Sequence, residues 1–109
     1  MGNHIKIYYK AFNYDLNHID KIYVQSELSE NPYNDIHHII SRGKKGEDRI
    51  ENLMAVTRKE HEDYGDRVYL IPHLLKIHRK ILEINNIEFD PKWFEFYIKL
   101  YETKSELKA

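Results

Sequence analysis

DIHHIISRGKKGEDRIENLMAVTRKEHEDYG, residues 35–65, is the stretch that decides the fold of this 109-residue chain. Its segment IHHII at 36–40 is short, rich in β-branched residues and bounded by turn-forming residues, which predicts a strand. NLMAV at 52–56 predicts a second short strand. Between them, SRGKKGEDR contains two glycines and a cluster of charges, which is typical of a surface loop. We therefore expect a β-hairpin.

A helix is expected to follow the second strand directly. Thr57 and Glu60 have the spacing of a capping box, in which each side chain satisfies a backbone N–H group of the other residue. His61 then falls in the first turns of that helix, and Gly65 is placed to end it as a left-handed C′ residue. A hairpin followed by a helix can bring side chains of the first strand and of the helix together. The stretch therefore predicts a ββα unit over residues 35–66.

Helices are also predicted on both sides of this unit. At 5–12 the sequence IKIYYKAF alternates like a strand but also fits an apolar helical stripe, and we favour the helix. Apolar residues recur every three or four positions over 70–85, which predicts an amphipathic helix. A further helix over 91–107 is preceded by Asp and begins with Pro, the residues favoured at an N-cap and at the first helical position. The sequence thus indicates one α+β, mostly α, domain spanning residues 1–109.

The composition excludes several classes of protein. Hydrophobic residues make up 41% and charged residues 32% of the chain, as in ordinary globular proteins. No apolar run approaches the roughly 20 residues that span a bilayer, and the N-terminus lacks the apolar stretch of a signal peptide. We therefore expect a soluble, cytoplasmic protein with no membrane partner. The net charge of −1 argues against binding nucleic acid over the whole surface, so any DNA contact must come from a local patch such as the basic stretch 42–59.

The histidines are the candidates for chemistry. The chain has seven of them and no cysteine, so any metal ion must be held by His, carboxylate, amide or water. His37 and His38 are adjacent on the first predicted strand, where successive side chains point to opposite faces. These two histidines could both be ordinary ligands of one ion only if the strand were distorted. A division of labour is more natural, in which one histidine binds metal and the other acts as a general base.

The stretch resembles the HNH endonuclease motif over residues 35–66, with its His pair, glycine-containing loop, Asn-Leu pair and closing His. The resemblance implies that His37 is the first metal ligand, His38 the general base and His61 the second metal ligand. It also implies a role for Asn52. In the family this Asn either braces the loop between the strands and orients the base or, in some members, binds the metal directly, and both roles remain open at the level of sequence.

Two features of related sequences are missing from this chain. Colicin-type relatives carry a further His four residues after the helical one, where this chain has Gly65. A third metal ligand must then come from elsewhere: water, substrate phosphate, Asn52 or Asp66. Many small phage-type members also enclose the motif in a zinc knuckle of two C-x-x-C pairs, whose positions here hold Ser26, Ser29, Thr57 and Glu60. We expect the Tyr-rich N-terminal segment and the C-terminal helices to compensate for the stability that such a zinc site provides.

Other polar residues carry weaker signals. Arg42 and Arg49, in the basic loop, are candidates for contacting substrate phosphate, although a solvated loop of charges is the more common meaning of such residues. The acidic residues of the loop are expected to balance its lysines (Lys44, Lys45) rather than to bind metal: Glu47, Asp48 and Glu51. The remaining histidines have no partner at ligand spacing and are not expected to be ligands: His4, His18, His73 and His78.

The sequence therefore predicts a metal-dependent endonuclease in which His38 activates water and one divalent ion is held by His37 and His61. The resemblance implies double-stranded DNA as the substrate and Mg²⁺ or Mn²⁺ as the working metal, whereas imidazole ligands favour Zn²⁺ or Ni²⁺ in the purified protein. Because no second DNA-reading module is recognisable, site selection would need a homodimer or a protein partner. The alternative is a catalytically weak or inactive HNH-fold protein that binds DNA or serves in an assembly.

Overall fold

The computed structural model describes residues 2–17, 24–65 and 67–107. Its helices are α1 (Asn3–Ala11), α2 (Arg58–Tyr64), α3 (Ile71–Ile84) and α4 (Pro91–Leu107), and its strands are β1 (Asp35–His38) and β2 (Leu53–Val56). These residues are mostly helical with one two-stranded antiparallel sheet, in agreement with the predicted α+β class. None of the described helices is long and apolar enough to cross a membrane.

The hairpin is shorter than the sequence predicts, and Asn52 explains the difference. The strand predicted over 36–40 ends at His38, which pairs with Leu53 in the antiparallel register. Beyond His38, the side-chain amide of Asn52 replaces a strand partner: it accepts from the backbone N–H of Ile40 at 2.8 Å and donates to the carbonyl of Ile40 at 3.0 Å. The chain therefore leaves the sheet without leaving these buried backbone groups unpaired.

The sheet lies between two hydrophobic clusters. Met54 and Val56 belong to the cluster that α3 and α4 complete. Leu53 and Ala55 belong to the cluster that includes Tyr8 and Tyr9 of α1. All four β2 residues are buried, because a strand covered on both faces has no side that faces solvent. The sheet is thereby fixed between α1 on one face and the C-terminal helices on the other.

The start of α2 is as predicted, but its end is not. Both hydrogen bonds of the Thr57–Glu60 capping box are present. Gly65 follows the helix with φ −66°, in extended and not left-handed geometry, so the predicted left-handed role of this glycine is wrong. The reason for glycine is space: a Cβ at this position would lie 2.4 Å from the carbonyl oxygen of His61 and 2.9 Å from its ring Cδ2.

The four positions that correspond to knuckle cysteines meet around the carboxylate of Glu60. The Ser26 hydroxyl donates to this carboxylate at 2.5 Å, the backbone N–H of Thr57 donates at 2.8 Å, and the side chain of Ser29 also donates to it. Burial alone would raise the pKa of Glu60, but these hydrogen bonds together hold it below its ordinary value. A hydrogen-bonded carboxylate thus joins the segment around Ser26 to α2.

Replacement of Glu60 by alanine is expected to lower the free energy of unfolding by about 1–3 kcal/mol, since it removes a helix cap and charge-assisted hydrogen bonds. The pKa of Glu60 is depressed in the folded state, so its stabilisation is present above the unfolded-state pKa and is lost as pH falls through the folded-state pKa. Urea unfolding at several pH values measures both effects. Glu62→Ala, at an exposed position of the same helix, is the matched control, and equal losses in the two variants would contradict the role of Glu60.

A second, buried group of polar side chains connects α1 to α3. The Tyr8 hydroxyl donates to the Glu27 carboxylate at 2.7 Å, and the other oxygen of this carboxylate lies 2.6 Å from Nδ1 of His78. Nε2 of His78 lies 2.6 Å from the carbonyl oxygen of Ile50. The side chains of His78 and Glu27 are 0% and 3% exposed, so the pair is almost fully removed from water.

Candidate functional site

One open cleft collects all three histidines that the sequence singled out, together with a fourth. We call it the histidine cleft, after His37 and His38 of β1, His61 of α2 and His4 of α1, which all line it. The hairpin and the capped start of α2 bring the first three together. The fourth comes from the N-terminal helix, which packs on the sheet through its tyrosines.

His37 and His61 face each other across this cleft. Their ring centroids lie 4.5 Å apart. Since bonds from a metal to a histidine nitrogen are about 2.0–2.1 Å long, two imidazoles this close together are candidate ligands of a single ion. The sequence prediction that a strand residue and a helix residue would meet here therefore agrees with the arrangement of the two rings.

Asp35 orients the imidazole of His61. Its carboxylate lies 3.2 Å from Nδ1 of His61 and accepts two hydrogen bonds from Arg58, at 2.9 and 3.2 Å. The Arg58 hydrogen bond is the main reason that the pKa of Asp35 is held below its ordinary value. An ionised carboxylate at Nδ1 favours the tautomer with the proton on that nitrogen, which leaves Nε2 as the ligand atom. Asp35 thus has the position of a residue that orients His61.

Gly65 closes the space in which a third histidine could lie. A Cβ at this position would be 3.5 Å from Cε1 of His37, in addition to its close contacts with His61. A side chain here would collide with His61 and would come into van der Waals contact with His37. Throughout the described parts of the chain, no three His, Asp or Glu side chains are arranged to hold one metal ion. Asp66, one of the ligands considered from the sequence, and His18 lie outside the described residues.

His38 is held by the loop that follows β1. Its Nε2 lies 2.6 Å from the carboxylate of Asp48, which also accepts hydrogen bonds from Arg42 and Asn3. The hydrogen bond with His38 contributes most to lowering the pKa of Asp48 to about 2, so this carboxylate is ionised at neutral pH. An ionised carboxylate can only accept, and Nε2 of His38 must therefore carry the proton. In a neutral ring, Nδ1 is then the nitrogen that can take a proton from water.

Asn52 is buried below the cleft, and its amide group braces the loop. Besides its two hydrogen bonds with the backbone of Ile40, it donates to the carbonyl oxygen of Glu47 at 3.0 Å. Its side-chain oxygen and nitrogen are thus both committed to the loop, and the residue is 0% exposed. Of the two roles left open by the sequence, this geometry favours the brace. The loop it shapes carries Asp48, which holds His38.

The two arginines considered as phosphate contacts have different surroundings. Arg42 lines the histidine cleft and its side chain is 62% exposed, so its guanidinium is accessible to a substrate. Arg49 donates to Glu51 at 2.9 Å and lies over the ring of Trp93, outside the set of described residues that line the cleft. Its position indicates a structural tie between the loop and α4.

Three residues of the site were not singled out by sequence reasoning: Asp35, Asp48 and His4. The sequence could have indicated Asp35, because residues two apart on a strand lie on the same face and Asp35 precedes His37 by two. The sequence predicts that Asp48 balances the loop lysines and that His4 is not a ligand, since nothing local relates a loop carboxylate or an N-terminal histidine to His38. Burial first, then the neighbouring His38 and Arg42, hold the pKa of His4 below its ordinary value.

Comparison with known proteins adds one finding. A family model described as HNH endonuclease matches residues 24–67, which includes both strands, the loop and α2 but excludes α1, α3 and α4. This match confirms the resemblance found over residues 35–66. No curated protein and no solved structure gives a significant match to the chain.

Proposed function

Because residues 24–67 match the model of the HNH endonuclease family, we propose that the chain is an endonuclease that hydrolyses phosphodiester bonds of DNA. The observation that carries this proposal is the joint placement of two facing imidazoles, His37 and His61, and a carboxylate-held imidazole, His38, in one open cleft. The strand, strand, helix order of residues 35–64 supports a ββα-metal arrangement of this segment.

His38 is the general base in this proposal. Asp48 keeps the proton on Nε2 and restrains the ring, so that Nδ1 accepts a proton from the attacking water. Asn52 acts indirectly, because it shapes the loop that carries Asp48. The exposed guanidinium of Arg42 contributes positive charge beside the reacting phosphate.

The donor chemistry of the cleft fits a divalent ion in part. His37 and His61 supply two nitrogen ligands, and the remaining positions are left to water and substrate phosphate, as is common for Mg²⁺ in phosphoryl-transfer sites. Two imidazoles also suit Mn²⁺, Zn²⁺ and Ni²⁺. When bound, such an ion would stabilise the negative charge that develops on the phosphate and on the leaving oxygen. Asp35 would hold His61 in the orientation that binding requires.

A second candidate function is DNA binding or assembly without efficient cleavage. It is favoured by the small ligand set, since the described residues do not add a third His, Asp or Glu to the pair formed by His37 and His61. The net charge of −1 limits non-specific affinity for DNA in either case, so the contact depends on the local basic loop.

Nicking of supercoiled plasmid DNA separates the two candidates. We expect no cleavage in EDTA and relaxed or linear product after addition of Mg²⁺, Mn²⁺, Zn²⁺ or Ni²⁺, with a His37→Ala/His61→Ala double variant as the matched control. Metal binding should also raise the melting temperature of the wild type more than that of the double variant. Absence of product with all four ions would contradict the endonuclease proposal and favour the second candidate.

A further inference from the structure

Helix α1 contributes to the histidine cleft although it lies outside the family match. Asn3, at its start, donates to Asp48 at 3.2 Å. His4 packs against His38 with the ring centroids 4.9 Å apart, and it lines the cleft. The burial of Tyr8 and Tyr9 explains how α1 is held on the sheet, but neither tyrosine requires a histidine at position 4. The start of the helix thus has polar contacts that its packing does not account for.

The contacts of His4 determine which of its nitrogens can face a ligand. Arg42 Nη2 lies 3.5 Å from Nδ1 of His4, and a guanidinium can only donate, so Nδ1 is the acceptor. A neutral ring then carries its proton on Nε2. The lowered pKa of His4 agrees with a neutral ring. His4 therefore offers one N–H donor, beside the accessible guanidinium of Arg42 and next to the proposed general base.

We propose that His4 is a substrate-contact residue that, with Arg42, binds a non-bridging oxygen of the DNA backbone beside the scissile phosphate. This inference rests on the proposed function, which supplies DNA as the substrate class. Both groups are donors in one open cleft, and phosphate oxygens accept hydrogen bonds from such groups without regard to base sequence. The contact would place the DNA strand against His38, using a helix that the family match does not include.

Binding of a short DNA duplex in EDTA, followed by fluorescence anisotropy, tests this contact apart from cleavage. We expect His4→Ala to weaken binding about tenfold, because a hydrogen bond to a charged group is lost. His4→Gln should restore much of the affinity, since its amide keeps an N–H donor. His73→Ala, at an exposed position of α3, is the control and should bind like the wild type.

Salt dependence distinguishes the two donors. Arg42→Ala should reduce the slope of log affinity against log salt by about one, whereas His4→Ala should lower affinity without changing the slope, because a neutral ring releases no counterion. Unchanged affinity in His4→Ala, with only the cleavage rate lowered, would overturn the inference and leave His4 as packing for His38. A duplex that the wild type does not bind would overturn it as well.

The inference and the proposed function can fail separately. If His4→Ala loses affinity but no metal supports cleavage by the wild type, the DNA contact holds and the endonuclease proposal fails. If the wild type cleaves DNA and His4→Ala binds it normally, the endonuclease proposal holds and the DNA contact by His4 fails. Melting temperatures within a few degrees of the wild type would show that the variants are folded.

Discussion

His38→Ala is expected to lower the rate of DNA cleavage by about 10²–10⁴-fold, the usual contribution of a general base. The substitution removes the nitrogen that takes the proton from water, while His37 and His61 keep their places on β1 and α2. Single-turnover cleavage of plasmid DNA at saturating metal measures the loss without interference from product release. Affinity for DNA in EDTA should change much less than the rate.

The variant Asp48→Asn tests the carboxylate that holds His38. The amide can still approach Nε2 of His38, but it no longer imposes an ionised acceptor there, so a smaller loss of rate is expected than for His38→Ala. His73→Ala should cleave at the wild-type rate. Equal rates for wild type and His38→Ala would refute the assignment of His38 as the base, even if cleavage itself is metal-dependent.

Local patterns were sufficient to predict the secondary structure around the site. The capping box at Thr57 and Glu60 depends on four consecutive residues, and it is present. The helices predicted over 70–85 and 91–107 match α3 and α4 closely, because their apolar residues repeat with the helical period. Strand ends were less predictable. Ile40 has the composition of a strand residue, yet Asn52 satisfies its backbone from twelve residues away in the sequence.

The side chains that support the site depend on tertiary contacts, which explains why the sequence did not indicate them. His4 reaches His38 only because α1 packs on the sheet, and Asp48 reaches it only because Asn52 shapes the loop. The prediction for Gly65 failed for the same reason, because it depends on a contact that the local sequence does not show. Its residue type predicts a left-handed turn, but the close contact that requires glycine is with His61.

The segments that the sequence predicts to compensate for a missing zinc knuckle both pack on the sheet. The N-terminal segment supplies Tyr8 and Tyr9 to one hydrophobic cluster, and the C-terminal helices complete the other. The carboxylate of Glu60 links the same four sequence positions that two C-x-x-C pairs would occupy. Packing and hydrogen bonds thus join segments that a structural metal can join in related sequences.

Replacement of His78 by alanine is expected to lower the free energy of unfolding by about 3–5 kcal/mol, because it leaves the carboxylate of Glu27 buried without a charged partner. The carbonyl of Ile50 at Nε2 and the carboxylate at Nδ1 both require a donor, so the ring is an imidazolium in the folded state. Burial alone would lower the pKa of His78, but Glu27, this carbonyl and Glu51 together raise it. Urea unfolding near pH 6 measures the loss.

The ion pair also predicts the direction of a pH effect and a test of coupling. Since the pKa of His78 is raised on folding, its stabilisation is complete below the unfolded-state pKa and is lost as pH rises through the folded-state pKa. Stability of the wild type should therefore fall at alkaline pH by more than that of Glu27→Gln/His78→Gln.

The double variant should also lose less stability than the sum of the losses in the two single variants, because neither charge is then left alone. A loss below about 1 kcal/mol in His78→Ala, close to that of the exposed His73→Ala, would show that this pair does not hold α3 against α1 and the loop.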